Sequence, residues 1–320
     1  MVRRPRDRAY GSSEGVSSFT ARSHMRFAKR KGLIPNSLGR RVHSWPETSL
    51  GHILNAERGF IYMIDQSRRQ FLYTATAALA APLASAAEPV MGMIFPPAYY
   101  PVPPEAKLLY PKGVTFLAEG LAFQGMTLES YEEAVPRIVP TALKLKERGA
   151  TAISIMGTSL TFYKGAAFNQ ELIDRVHQAT GLPATSMSNG IVDGLKVAGA
   201  KRVAVATAYT DVVNATLERF LKESGFEVLA LKGLNLIRAT NAVTQEQLYD
   251  FSAGVFANAP KADTLLISCG GLKTVDLLVP LEGKCGVPVV SSTPHALMNA
   301  VRLIGVSPRV TGYGSVLAKA

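Results

Sequence analysis

The sequence predicts an α/β fold with largely parallel sheets, and three observations predict it. From Val90 onward, short runs rich in Val, Ile and Leu alternate with longer stretches of helical periodicity. Helix punctuation falls between them, with Asp211 and Thr244 as N-caps and Gly181, Gly199 and Gly225 as stops. With 320 residues and 47% hydrophobic content, the chain can also bury the substantial core that such sheets need.

Taken in order, residues 1–62 are rich in Arg, Ser and Gly, hold the single tryptophan (Trp45) and show no sustained apolar periodicity. They read as a disordered basic extension, or as an upstream start that the cell does not use, because Met63 would make an ordinary start. A basic functional arm is the alternative. Residues 63–86 read as a twin-arginine-type signal peptide. Ser67-Arg68-Arg69-Gln70-Phe71-Leu72 precedes an apolar run, Tyr73 to Ala84, and the small residues Ala84-Ser85-Ala86 that a signal peptidase accepts. Basic residues stay at the anionic face while the apolar run enters the membrane. That run is too short for a stable anchor. Export by the twin-arginine machinery to the periplasm or beyond, with cleavage near Ala86, is the expectation; a buried Ala-rich helix with two chance arginines is the alternative. Glu88 and Pro89 then open the mature chain.

In the body, strands are expected at Val90 to Phe95, Ala152 to Met156, Arg202 to Ala206, Thr264 to Ser268 and Val287 to Ser291. Helices are expected at Ser130 to Arg148, Ala166 to Thr180, Ser188 to Ala198, Asp211 to Ser224, Thr244 to Asn258 and Pro294 to Ile304. Pro136 and Pro140 should kink the first of these or delay its start.

The net charge of +11 suggests a polyanion partner until the charges are placed along the chain. Residues 1–86 hold 14 Lys and Arg against 5 acids, and the remainder holds 21 against 19. A near-neutral body argues against nucleic-acid binding. Cys269 and Cys285 stand outside any CxxC or Cys/His cluster, so no metal site is expected. The strand end and helix read between them speak against a disulfide.

Catalytic groups in such sheets lie just past the carboxyl ends of strands. Three ends combine small or hydroxyl side chains with room for close backbone approach: Gly157-Thr158-Ser159, Thr207-Ala208-Tyr209-Thr210 and Cys269-Gly270-Gly271. Such ends suit a carboxylate held by N–H and O–H donors.

These segments, with Met156 to Asn169, Pro288 to Ser292 and Gly312-Tyr313-Gly314, resemble arylmalonate decarboxylases and their relatives, the maleate isomerases and the aspartate, glutamate and hydantoin racemases, across nearly all of residues 90–314. The resemblance implies two similar Rossmann-like lobes with the active site in the inter-lobe cleft. Residues 87–185 plus 292–320 would form the first lobe and 186–291 the second. Racemases and isomerases of this kind place one cysteine in each lobe, an acid and a base on opposite faces. Here the first-lobe position is Gly157, so one thiol, Cys269, remains. The resemblance therefore implies a cofactor-free decarboxylase that acts on a disubstituted, aryl or alkenyl malonate, loses CO2 and protonates an enediolate from Cys269.

By matching positions, Thr158, Ser159 and Tyr209 would offer hydroxyls, with backbone N–H groups near Ser159, Cys269 and Gly270 completing an anion pocket beside Gly271. A Cys269 acting as general acid must hold its proton at rest. Pro96, Phe123, Met126 and Ile237 would wall the departing carboxylate, although these are also ordinary core types. Phe123 is bulkier than the aliphatic residue expected there, which counts against a plain aryl substrate. Cys285 reads as structural, while His177 on a helix surface and His295 at a helix start look unsuited to catalysis. The alternatives are a maleate isomerase or racemase, against which Gly157 speaks, and a non-catalytic periplasmic carboxylate-binding protein.

Overall fold

The computed structural model describes residues 87–99 and 101–320; the expected basic extension at 1–62 and signal peptide at 63–86 lie outside the described residues. What is described is an α/β body with two four-stranded, all-parallel sheets. In the first sheet β1 (Val90–Phe95), β2 (Thr115–Gly120), β3 (Ala152–Ile155) and β4 (Ala184–Ser186) take the order β2-β1-β3-β4. In the second, β5 (Arg202–Thr207), β6 (Glu227–Gly233), β7 (Thr264–Ser268) and β8 (Val289–Ser291) repeat it as β6-β5-β7-β8. The chain is thus built from two similar Rossmann-like lobes.

Burial explains which strands the sequence announces. The central strands β1, β3, β5 and β7 are buried almost throughout and read as continuous apolar runs, as parallel strands covered on both faces must. Each such Val, Ile or Leu contributes about 1.5–3 kcal/mol by leaving water. Of the four edge strands, β2 and β6 are half-buried and compositionally mixed, so apolar content does not reveal them; β8 is buried and falls within the expected Val287 to Ser291, while β4, three residues long, was not expected.

Seven helices lie between or beside the strands that position the cleft. They are α1 (Pro104–Leu109), α2 (Leu128–Ala134), α3 (Ile138–Glu147), α4 (Thr158–Phe162), α5 (Ala166–Thr180), α6 (Met187–Ala198) and α7 (Asp211–Glu223). The helix expected over Ser130 to Arg148 is broken into α2 and α3 by a 3-10 turn at Val135–Arg137, where Pro136 removes a donor. Asp211 is the first helical residue of α7 and Thr210 the cap. An acid there still favours the positive helix end. Thr244 caps α8 (Gln245–Ala257) with a full capping box, its side chain accepting from Gln247. After α9 (Leu278–Cys285) come α10 (Ser292–Leu303) and α11 (Ser315–Lys319).

The lobes are laced together by exchange. α6 follows the first sheet yet packs on β8, and α10 follows the second sheet yet packs on β4. Where these helices cross, a Cβ on Gly190 would sit 2.5 Å from the Ala296 Cα, and one on Gly194 would sit 2.8 Å from the His295 ring. Two absent side chains thus allow the close approach. The terminal α11, expected with the first lobe, packs instead against α6 and β8. The Glu282 carboxylate holds it there by accepting from the Ser315 amide and hydroxyl and from Val289 N.

Candidate active site

Because the two sheets share one strand order, each has a switch point between its two central strands. β1 and β3 carry chain in opposite directions away from their shared edge, as do β5 and β7. Ligands bind in parallel sheets beyond the carboxyl ends at such points. Here both ends open into one cavity of about 430 Å³, within the range of small-ligand sites. All the residues expected at the site line it: Pro96 beyond β1, Gly157, Thr158 and Ser159 beyond β3, Tyr209 beyond β5, Cys269, Gly270 and Gly271 beyond β7, and Phe123, Met126 and Ile237 from two loops above.

Local hydrogen bonds shape each strand end. Beyond β3, the Thr161 hydroxyl donates to Gly157 O at 3.0 Å and pairs with the Ser188 hydroxyl at 2.7 Å. Ser188 reaches Thr158 O, and Ser186 donates to Asn169 at 2.6 Å. This buried network holds the turn that presents Thr158 and Ser159. Beyond β5, Thr207 bonds Asn214 at 2.7 Å and accepts from Tyr209 N at 3.1 Å. Gly233 permits the fold there, since a Cβ would lie 2.0 Å from Tyr209 O. Beyond β7, Cys269 N donates to the Ser292 hydroxyl at 3.0 Å, and the Thr293 hydroxyl to Gly270 O at 3.3 Å.

The last of these corrects one expectation. The Cys269 backbone N–H is taken by Ser292 and is not free for an anion; among the described residues the N–H groups of Ser159 and Gly270 have no such partner.

The side chains converge. Cys269 is 6% exposed, and its sulfur accepts from Gly271 N at 3.4 Å and has the Tyr209 hydroxyl as a hydrogen-bonding neighbour. The Tyr209 hydroxyl lies 3.4 Å from Ser268 Oγ and also reaches Thr158. Thr158 meanwhile donates to the sulfur of Met187 at 2.7 Å, a weak acceptor that a carboxylate oxygen can displace. Burial pushes the Cys269 thiol up to about 11, against smaller lowering effects from Gly271 N–H, Tyr209 and Leu272 N–H. At neutral pH the sulfur therefore carries its proton. Burial also raises Tyr209 well above the ordinary phenol value, with a negative charge on Cys269 adding to the rise.

Sequence reasoning missed Tyr131. It is fully buried on α2, stacked on Phe123 with ring centroids 5.5 Å apart. Its hydroxyl faces Ser159 without a full hydrogen bond. The stack explains the bulk of Phe123, whose ring continues the aromatic wall. Arg238 and Gln124 at the cavity mouth were missed too, since nothing in a loop sequence tells a lining Arg from a solvated one. Ile237, expected as a wall, is 55% exposed at this mouth. Cys285 ends α9 outside the cavity and both cysteines are free. His177 is on the surface of α5, bonded to Leu182 O. His295 is fully buried inside α10 and lies outside the cavity.

Comparison with known proteins fits this arrangement. The profile of the family described as "Arylmalonate decarboxylase" matches residues 91–317. Arylmalonate decarboxylase of Bordetella bronchiseptica is 42% identical over 232 residues, which span 72% of this chain and 96% of that protein. The crystal structure of a double variant of arylmalonate decarboxylase in its liganded form is 40% identical, with a TM-score of 0.70, over 72% of this chain and all of that one. The maleate isomerase of Pseudomonas putida S16 shares the fold, with a TM-score of 0.66 at 19% identity over 72% of this chain and 98% of that one. With the match running through both lobes and every strand end that lines the cavity, the chain belongs to the arylmalonate decarboxylase family and is a carboxy-lyase.

Proposed function

We propose that the protein removes one carboxyl group from a disubstituted malonate without a cofactor, and that Cys269 protonates the product. The reading rests most on one observation: a buried, protonated thiol shares its cavity with three hydroxyls and two free backbone N–H groups. One malonate carboxylate sits in the cradle of Thr158, Ser159 and Tyr209, with the amides of Ser159 and Gly270. The other lies against Pro96, Phe123 and Met126. When its bond to the α-carbon breaks, CO2 leaves and the electron pair passes into the retained carboxylate as an enediolate. The cradle receives that charge, and preorganised donors act most strongly on charge that develops in a dry site. Cys269 then gives its proton to the α-carbon from one face, and its thiolate is reprotonated from water. A resting thiol with a pKa of about 11 is suited to an acid and unsuited to a nucleophile at neutral pH.

Gly157 favours this reading over isomerisation or racemisation. It stands just past the central strand β3 in the first lobe, two residues beyond Ile155, as Cys269 stands one residue beyond β7 in the second, and it offers no acid or base. For export we propose the twin-arginine route to the periplasm, with cleavage near Ala86; amino-terminal sequencing of the secreted product tests it.

Residues 87–320 are expected to release CO2 from an aryl or alkenyl malonate with chelator present and no thiamine added. Cys269→Ser is expected to reduce that rate by several orders of magnitude while the melting temperature stays near wild type. Unchanged turnover in the variant would remove Cys269 from the chemistry.

A further inference from the structure

The cavity has a polar floor and a polar mouth separated by an apolar belt. The floor is Thr158, Ser159, Tyr209 and Cys269, all buried; the belt is Phe123 and Met126 with Pro96. At the mouth stand Gln124, Arg238 and Thr240. Arg238 is the single charged side chain among the described residues that line the cavity. It is also anchored, because its Nε donates to Gln124 O at 3.1 Å across the cleft, beside a second crossing bond from Met126 N to Ile237 O at 2.9 Å. Its two terminal nitrogens have no partner among the described residues, and no carboxylate pairs with it. A solvated surface arginine is usually mobile. This one is held at the cavity rim with its fork free, the geometry that binds a planar anion in two-point fashion.

A malonate already supplies two negative groups, and neither calls for this guanidinium. The retained carboxylate is served by the neutral donors on the floor. A cation on the departing one would stabilise the ground state and oppose loss of neutral CO2.

We propose that Arg238 binds an anionic group at the far end of the substrate's α-substituent. The substrate is then a malonate whose apolar substituent crosses the belt and ends in a carboxylate or comparable anion at the mouth. This inference rests on the decarboxylase reading of the same cavity and names its substrate class. It also gives Phe123 a place, since a bulky belt residue narrows the passage to a flat spacer.

The test compares 2-(4-carboxyphenyl)-2-methylmalonate with 2-methyl-2-phenylmalonate in wild type and Arg238→Leu. The ratio of their kcat/KM values is expected to fall at least tenfold in the variant, and Arg238→Lys to restore part of it. A ratio that does not change overturns the proposal, whether both substrates lose equally, which makes Arg238 a general attractor of dianions, or neither loses. Calorimetric titration with the unreactive 4-carboxyphenylacetate and phenylacetate separates this failure from that of the decarboxylase reading. A preference for the former that Arg238→Leu abolishes upholds the role of Arg238 even if no malonate is turned over, and no preference in wild type overturns it.

Discussion

Thr158 and Tyr209 come from different lobes, beyond β3 and beyond β5, yet their hydroxyls are hydrogen-bonding neighbours, and Tyr209 is also a neighbour of the Cys269 sulfur. Removing one donor from such a cradle elsewhere costs about 10²–10³ in kcat. Tyr209→Phe and Thr158→Ala are each expected to lose kcat in that range with a smaller change in KM, measured by CO2 release; loss confined to KM would assign them to uniform binding. His295 makes a different expectation. Burial lowers its pKa to about 4 from the usual 6.5, only partly offset by its bond to Ser291 O, and its Nε2 has no partner among the described residues. The unfolded chain takes up a proton in that interval and the folded chain does not, so stability is fully present above pH 6.5 and is lost as pH falls through about 4. That loss is worth about 3 kcal/mol. His295→Gln should flatten it in urea melts at pH 7 and pH 4.5. At this scale residue types at strand ends were legible, because few side chains suit anion binding. The burial of His295 was not, since Pro294 suggested a helix start and α10 begins two residues earlier.

Among the elements, the crossing of α6 and α10 has the least slack. Gly190→Ala puts a methyl 2.5 Å from the Ala296 Cα and 2.7 Å from its amide nitrogen. Backbone must move, so a loss of about 1–3 kcal/mol is expected. Gly254 on α8 meets nothing within 4 Å, and Gly254→Ala should instead stabilise by about 0.5–1 kcal/mol. Denaturant melts of the pair check both signs; equal effects would mean that helix propensity alone governs Gly190. Helix ends were legible wherever a cap or a left-handed glycine marked them, as at Thr244, Gly181 and Gly199. The short α1, α4, α9 and α11 were not, because five to eight residues carry too little periodicity. The two loops at the cavity mouth hold all three non-glycine residues with positive φ among the described residues, Ala122, Asn235 and Asn241. Ala122 is steadied by Arg137, which donates to Leu121 O at 2.6 Å and Ala122 O at 3.1 Å.

For the whole molecule, two lobes of one strand order face a common cleft with unlike side chains at their strand ends: Cys269 on one side, Gly157 on the other. Under the proposed mechanism, Gly157→Cys would supply a second proton donor opposite Cys269. The added Cβ would stand 3.0 Å from the Pro96 Cγ and 3.1 Å from the Leu160 Cβ, so these must yield by a few tenths of an ångström. The variant is expected to form product of lower optical purity than wild type and to exchange the α-hydrogen of added product with solvent, read by chiral chromatography and by deuterium uptake. Unchanged optical purity would mean that the first-lobe face is closed to the α-carbon.

Apolar runs in the sequence determined the parallel α/β class, the four central strands and the buried edge strand β8, because strands covered on both faces must be apolar along their whole length. Resemblance over those same segments marked the cavity residues. The exchange of α6 and α10 between lobes, the committed Cys269 amide, the anchored Arg238 and the unpartnered His295 nitrogen were decided by tertiary structure alone. Each depends on what a group meets elsewhere in the chain, from 23 residues away for the Cys269 amide to 114 for Arg238, or inside a helix crossing, and local composition carries no record of such meetings.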